Sequence, residues 1–232
     1  MKKKEKIRDM FDGIAPSYDR LNHLLSLGVD RLWRKRSLKA IADGTQQEIL
    51  DVACGTGDST IAIAEAVAPG SRVTGVDISE GMMSLLMRKA AKAGVHERIR
   101  LLKADAEALP FPDGSFHRVS CAFGVRNFER KDLALSEFYR VLKADGKAVV
   151  LELSVPDVPL LRRLYDLYFL HVLPWVGGWI SGNRAAYKYL PASVHAFPAP
   201  DSFCDLMRDA GFRSVYYKTF SFGLCRMYVG SR

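Results

Sequence analysis

One segment constrains the fold of this 232-residue chain more than any other. The run Asp51-Val52-Ala53-Cys54-Gly55-Thr56-Gly57-Asp58 closes an apolar strand that starts at Ile49 and opens a helix over 59–68. Glycines let the backbone approach a ligand closely, and a helix N-terminus offers unpaired N–H groups toward it. A second strand, 72–77, ends in Asp77, 20 residues after Gly57. Strand, glycine turn, helix, and a strand closed by a carboxylate place a ligand site at the strand tips of an α/β sheet.

The alternation continues. Ser79 caps a helix reaching about Gly94, and strands come next over 98–104 and 116–123. A helix over 133–142 leads through a turn at Lys143–Gly146 into a strand over 148–153. Such a series implies βαβ units, a parallel sheet and right-handed crossovers. Residues 1–45 read as helices: Leu32, Trp33, Leu38 and Ile41 recur near helical period, with Gly28 as a break and Asp30 as an N-cap. Residues 157–195 read as an inserted helical segment. After a helix over 201–210, strands over 213–219 and 224–230 leave no room for a crossover helix, so they form a hairpin. The predicted fold is α/β and Rossmann-like: a mostly parallel sheet with a C-terminal antiparallel hairpin, N-terminal helices and a helical insertion. It is one domain with four parts. These are a helical lid (1–45), a cofactor-binding core (46–155), a helical substrate or membrane segment (156–197) and a C-terminal helix and hairpin (198–232).

The chemistry around the glycine turn selects the ligand. A dinucleotide favours a third glycine, where this chain has Thr60, and little negative charge near its pyrophosphate. Here Asp51 and Asp58 flank the turn. Two carboxylates suit a cation instead, and S-adenosylmethionine carries a sulfonium, an ammonium group and no phosphate. Asp77 is placed to accept hydrogen bonds from ribose hydroxyls. Asp105, by carboxylate or carbonyl, reaches toward an adenine amino group, and Ala106 leaves space for the ring.

Those residues resemble the class I S-adenosylmethionine-dependent methyltransferases. Flanking motifs are more specific. They are Tyr18-Asp19-Arg20-Leu21-Asn22 with Ser26 to Arg34; Phe123-Gly124-Val125-Arg126-Asn127; Leu151-Glu152-Leu153-Ser154; and Tyr187 to Ser193 with Phe197-Pro198. Together they resemble the UbiE/MenG family of quinone-biosynthesis C-methyltransferases over nearly the whole chain. The resemblance implies methyl transfer to a ring carbon of a polyprenylated quinol, demethylmenaquinol or 2-polyprenyl-6-methoxy-1,4-benzoquinol. It also implies donor contacts at Thr56, Asp77, Asp105 and Ala106, alongside Asp51, Gly55 and Gly57 of the turn. A further family contact, a serine after the fourth strand, is absent because Ala122 stands there.

An aromatic carbon is a poor nucleophile until a ring hydroxyl loses its proton, and a phenol does so only near pH 10. Arg126 and Asn127 come directly after the fourth strand, where a guanidinium can stabilise a phenolate or hold a water that carries the proton. A structural salt bridge is the alternative for Arg126. Tyr18 is a candidate partner from the N-terminal helices, or simply packs there. Of His117, His171 and His195, the last adjoins the presumed substrate region and is assigned to it with Tyr187. No metal-ligand spacing occurs among the four cysteines or the histidines, and this chemistry needs no metal.

Charge refines the picture. The net +8 divides into +5 over 1–45, −1 over 46–155 and +4 over 156–232. The basic flanks suit a membrane surface, and no RNA-binding signature accompanies them. Leu160, Leu161, Leu164, Trp175 and Trp179 make 157–183 apolar, either a bilayer contact with Arg162 and Arg163 or a helical cover or dimer interface. Its longest uncharged stretch, 167–183, is too short and too interrupted to span a bilayer. The N-terminus shows no signal-peptide pattern, and the cysteines no disulfide framework. A cytoplasmic protein is expected, either free or peripheral on the inner face of the cell membrane.

Overall fold

A computed structural model describes residues 3–169 and 184–232. Seven strands form one sheet: β1 (Glu48–Val52), β2 (Arg72–Asp77), β3 (Ile99–Lys103), β4 (Phe116–Ala122), β5 (Leu142–Leu153), β6 (Arg213–Phe220) and β7 (Cys225–Ser231). Their order is β3-β2-β1-β4-β5-β7-β6. The first five pair in parallel, and β7 runs antiparallel between β5 and β6. The hairpin and the mostly parallel sheet are as anticipated.

Helices α1 (Lys3–Leu25) and α2 (Val29–Ile41) precede the sheet. The helices α3 (Asp58–Ala66), α4 (Glu80–Lys92) and α5 (Lys131–Val141) connect its strands. After β5 come α6 (Pro159–Leu167), α7 (Arg184–His195) and α8 (Pro200–Asp209). Side chains alternate across a strand, so β1 sends Leu50 and Val52 to one face and Ile49 to the other. The first face packs on Phe138 of α5 and Phe203 of α8. The second packs on Trp33, Ile63 and Leu86 of α2, α3 and α4. Burial on both faces is why β1 and β5 read as near-continuous apolar runs.

Two details differ from the sequence reading. Gly28, at φ 74°, occupies the N-cap of α2, while Asp30 is buried in the first turn, bonded to Ser26 and His23. The glycine takes the left-handed turn between two helices, which frees Asp30 to pair inward. β5 begins at Leu142 rather than after a turn: Phe116 pairs with Leu142 and Arg118 with Lys147, so Lys143–Gly146 bulge out of a continuous strand. Trp175 and Trp179 lie outside the described residues, as does His171.

β1 and β4 are neighbours, but the chain leaves them toward opposite edges of the sheet. Their C-terminal ends therefore open into a crevice. Both exits are tight. Ala53 and Phe123 hold φ of 54° and 62°, and a Cβ on Gly124 would stand 2.6 Å from that of Ala53.

Candidate active site

The crevice holds a cavity of about 110 Å³, lined by Asp51, Gly55, Thr56, Gly57, Asp77, Asp105 and Ala106. All seven residues assigned to donor binding therefore share one space. The turn that begins it needs glycine at two points. Gly55 (φ 54°) has open space where a side chain would be, and at Gly57 (φ 90°) a Cβ would meet Leu86 Cγ at 2.2 Å.

The carboxylates differ in how far they are satisfied. Asp77 accepts from Gly55 N (2.8 Å) and Ser79 N (2.9 Å); burial pushes its pKa up against those two bonds. Asp51 is buried and takes the Thr60 hydroxyl on Oδ2 at 2.6 Å. Its Oδ1 is buried with no hydrogen-bond partner, the Ser120 hydroxyl lying near without a formed bond. Burial raises the Asp51 pKa to about 6. An unpartnered buried carboxylate oxygen is costly unless a ligand cation meets it. This donor set fits S-adenosylmethionine, whose ammonium group supplies that cation.

α1 closes the cavity. Lys4 Nζ donates to Asp105 and Glu107, both at 2.6 Å, so the Asp105 side chain is engaged by the helix. The Thr56 hydroxyl donates to Asp19, the Ser79 hydroxyl to Asp12, and Lys89 pairs with Asp19 at 2.6 Å and with Asp58. Thr56 lines the cavity, but its hydroxyl points to the covering helix.

A second cavity of about 490 Å³ adjoins the first. Tyr18, Arg34 and Phe123 line both. The Arg34 guanidinium lies 4.7 Å above the Phe123 ring and is held by the Ser59 hydroxyl. The rest of the second cavity is mainly apolar, with Trp33, Leu161, Leu164, Tyr165 and Phe222 in its wall and Arg126 at its inner end.

Arg126 sits in a 3₁₀ turn, Val125–Asn127, with its cation fixed against Glu152. Nη1 donates to Glu152 Oε1 (2.7 Å) and to Phe123 O, and the Arg126 N–H donates to Glu152 Oε2 (3.0 Å). Burial opposes its charge, but Glu152 together with Tyr18 and Tyr189 outweighs that and raises its pKa. Arg126 is therefore in a structural salt bridge and on the cavity wall at once. Asn127 lines the donor cavity and accepts from the Tyr189 hydroxyl at 3.1 Å. Burial raises the Tyr18 pKa, with Arg126 and Arg34 opposing.

Two assignments to substrate fall differently. His195 lines none of these cavities; it stands behind Tyr165, with Nε2 3.2 Å from Asp166 Oδ1. Tyr187 lies in α7, but its side chain is outside the described residues. Arg34, Phe123 and Tyr165 carried no assignment from sequence. Arg34 and Phe123 fall within the quoted motifs, yet nothing in their spacing reveals a role. All four cysteines are free and buried. His23, Asp30 and Asp58 bring ligand-type atoms together, but Ser26, Lys89 and Arg34 already partner that group.

Known proteins resemble this chain. The model of the ubiE/COQ5 methyltransferase family matches residues 1–232. The chain is 48% identical over 223 residues to the demethylmenaquinone methyltransferase of Thermus thermophilus, covering 96% of this chain and all of that one. It is 47% identical over 230 residues to the ubiquinone/menaquinone biosynthesis C-methyltransferase UbiE of Geobacter sulfurreducens, covering 99% and 90%. Among solved structures it resembles a SAM-dependent methyltransferase from Aquifex aeolicus (TM-score 0.66, 17% identity, 92% of this chain and 97% of that). A SAM-dependent methyltransferase from Thermotoga maritima, a possible histamine N-methyltransferase, has the same score at 20% identity, with 96% and 98% covered. At those identities the structures speak to the fold, that of class I methyltransferases.

Proposed function

The chain belongs to the ubiE/COQ5 methyltransferase family, and from that premise we propose that it transfers a methyl group from S-adenosylmethionine to a ring carbon of demethylmenaquinol, giving menaquinol. The observation that carries the reading is the meeting of two unlike cavities at Tyr18, Arg34 and Phe123. One offers a carboxylate with one unpartnered oxygen, Asp51 Oδ1, to a cation. The other offers apolar walls to an isoprenoid tail.

S-adenosylmethionine, when bound, supplies a methyl group on a sulfonium, open to in-line displacement. The residues hold and orient. Asp51 Oδ1 takes the ammonium group, and Asp77 takes the ribose hydroxyls on lone pairs that its two N–H partners leave free. Ala106 makes room for the adenine. The free space of about 110 Å³ is below the roughly 300 Å³ typical of small-molecule pockets. On this reading helix α1, tied across the cavity by Lys4, Asp12 and Asp19, yields to admit the donor and closes over it, excluding water.

On the acceptor side, Arg126 and Arg34 place two permanent cations beside the ring, which lowers the cost of its phenolate. Glu152 locks Arg126 in place, so that stabilisation needs no reorganisation during the reaction. The Tyr18 phenol, its pKa raised by burial, stays protonated at neutral pH and donates rather than accepts. Asn127, oriented by Tyr189, positions the ring. His195 supports the wall through Asp166 rather than touching substrate.

A membrane surface is the second partner. Leu27, Leu164 and Phe222 line the apolar cavity, yet are 86%, 56% and 73% exposed at its rim; Arg162 and Arg163 are exposed beside Leu164 on α6, and Arg31 is exposed on α2, shortly after Leu27. An apolar mouth flanked by basic side chains suits an anionic bilayer from which a quinol enters directly. Among the described residues no helix is long and apolar enough to cross a membrane; the contact proposed is a peripheral one.

The test incubates the protein with methyl-labelled donor and either reduced quinol, on anionic vesicles across a salt series. Label in the naphthoquinol ring carbon, with vesicle binding that weakens as salt rises, is expected. Label in the benzoquinol instead would correct the head group. Label in RNA or a simple phenol, with none in either quinol, would overturn the reading.

A further inference from the structure

Tyr165 carries a hydroxyl that neither the donor site nor the salt bridge of Arg126 engages. The residue belongs to α6 and is 7% exposed. Its ring forms part of the wall of the apolar cavity and stacks on Phe169, with centroids 4.0 Å apart. The hydroxyl is buried and has no hydrogen-bond partner among the described residues. Phenylalanine would fill the same apolar wall without burying an unpaired O–H, so the hydroxyl costs the free protein stability. Such a group is retained where a ligand supplies the partner.

Its surroundings say what that ligand carries. Burial makes the Tyr165 phenol a far weaker acid than usual; Arg126 opposes and Asp166 adds to the effect. The hydroxyl therefore lies in the field of the guanidinium on the same cavity wall. Among the described residues His195 also stands near the ring, with centroids 6.4 Å apart, and pairs with Asp166. Arg126 Nε is likewise buried without a partner. Tyr165 and Arg126 thus both line the apolar cavity, and each carries a buried donor without a partner among the described residues, one always cationic and one protonated at neutral pH. That arrangement suits an acceptor-only, anionic oxygen on an otherwise apolar ring.

We propose that the Tyr165 hydroxyl donates a hydrogen bond to a ring oxygen of the acceptor and, with Arg126, forms the oxyanion site that holds charge there during methyl transfer. The inference rests on the quinol-methylation reading. When the ring O–H bond breaks, its electron pair stays on that oxygen and the proton leaves to solvent water. As the methyl carbon leaves sulfur, its bonding pair stays on sulfur, and the ring supplies the pair of the new C–C bond. The methylated carbon then loses its hydrogen as a proton while the ring oxygen regains one from water. Tyr165 keeps its own proton throughout.

Tyr165→Phe removes only the oxygen. With reduced demethylmenaquinol, turnover is expected to fall about ten- to a hundredfold, as for loss of one donor to a charged acceptor. Donor affinity is expected to stay within twofold. The acid limb of the rate profile is expected to move up by about one pH unit, because tenfold weaker stabilisation of the ionised ring is one unit in its ionisation. Thermal midpoint is expected to hold or rise, which separates this from a folding defect. A second readout uses a short-tailed 1-naphthol, whose ultraviolet absorbance reports ionisation. It is expected to ionise at lower pH on the parent protein than on Tyr165→Phe. If the parent turns over the quinol while the variant matches it in rate and in pH profile, the proposal is wrong and the quinol reading stands. If the parent does not methylate the quinol, that reading fails first.

Discussion

The unpartnered oxygen of Asp51 leads to a prediction with a sign and a size. In the folded, donor-free protein burial raises this carboxyl to about 6, against roughly 3.9 in an unfolded chain. Between those values the folded state holds a proton that the unfolded state has lost. Stability therefore falls as pH rises from about 4 to about 6, by up to about 3 kcal/mol for a gap of about two units. Donor binding runs the other way. A cationic ammonium group binds the ionised carboxylate, which is about a tenth of the population at pH 5 and about nine-tenths at pH 7. The donor's own α-amino group stays mostly protonated across that range. Its dissociation constant should consequently rise about tenfold from pH 7 to pH 5, and binding below pH 6 should release close to one proton. Titration calorimetry in buffers of differing ionisation enthalpy measures both. Asp77 is also raised by burial and adds to the slope in the same direction, so the diagnostic comparison is with Asp51→Asn. That variant should bind the donor weakly at every pH and lose most of the dependence. Equal affinity at pH 5 and pH 7 in the parent, or an unchanged slope in Asp51→Asn, would refute the assignment of Asp51 Oδ1 to the ammonium group.

Packing and pairing set two further outcomes. Glu152→Ala leaves the buried Arg126 cation and the Leu153 N–H unpaired, and should cost about 3–5 kcal/mol in urea unfolding; a loss under about 1 kcal/mol would show that water or a neighbour replaces the carboxylate. Gly57→Ala forces a side chain to φ 90° and against the fully buried Leu86, and should cost about 2–4 kcal/mol and weaken donor binding. Unaltered unfolding midpoint and affinity would mean that the turn relaxes.

The parallel half of the sheet and the donor loops are legible in sequence because each is written locally. Asp51 to Asp58 and Asp77 declare themselves by strand, glycine and carboxylate within 27 residues. Ser79 declares its cap by the helical run from Glu80 onward, and its hydroxyl does accept from Met82 N. What sequence conceals is pairing across long separations. Lys4 meets Asp105 over 101 positions and the Thr56 hydroxyl finds Asp19 over 37. No period or spacing encodes either, so Thr56 and Asp105 read as free to face a ligand when their side chains serve the covering helix. The same limit hides Arg34 and Tyr165, which reach the cavities only because α2 and α6 pack beside the β4 exit. His195 shows a different limit: it adjoins a motif in sequence, yet its side chain stands behind Tyr165 rather than on a cavity wall.

The order β5-β7-β6 has a bearing on how the molecule is made. On a ribosome, strands β1 to β5 emerge in the order in which they can be laid side by side, and they carry every tip that meets the donor. β6 emerges next with no strand to lie against, since its only partner, β7, is still in the exit tunnel. Only when residues 225–231 appear can β7 slot between β5 and β6 and bring Ser221, Phe222 and Leu224 to the apolar cavity. The donor half can thus assemble during synthesis, while the wall that shelters the quinol closes last. Until then β5 presents an open edge and an apolar hollow, and that interval is when the nascent chain is most exposed to aggregation.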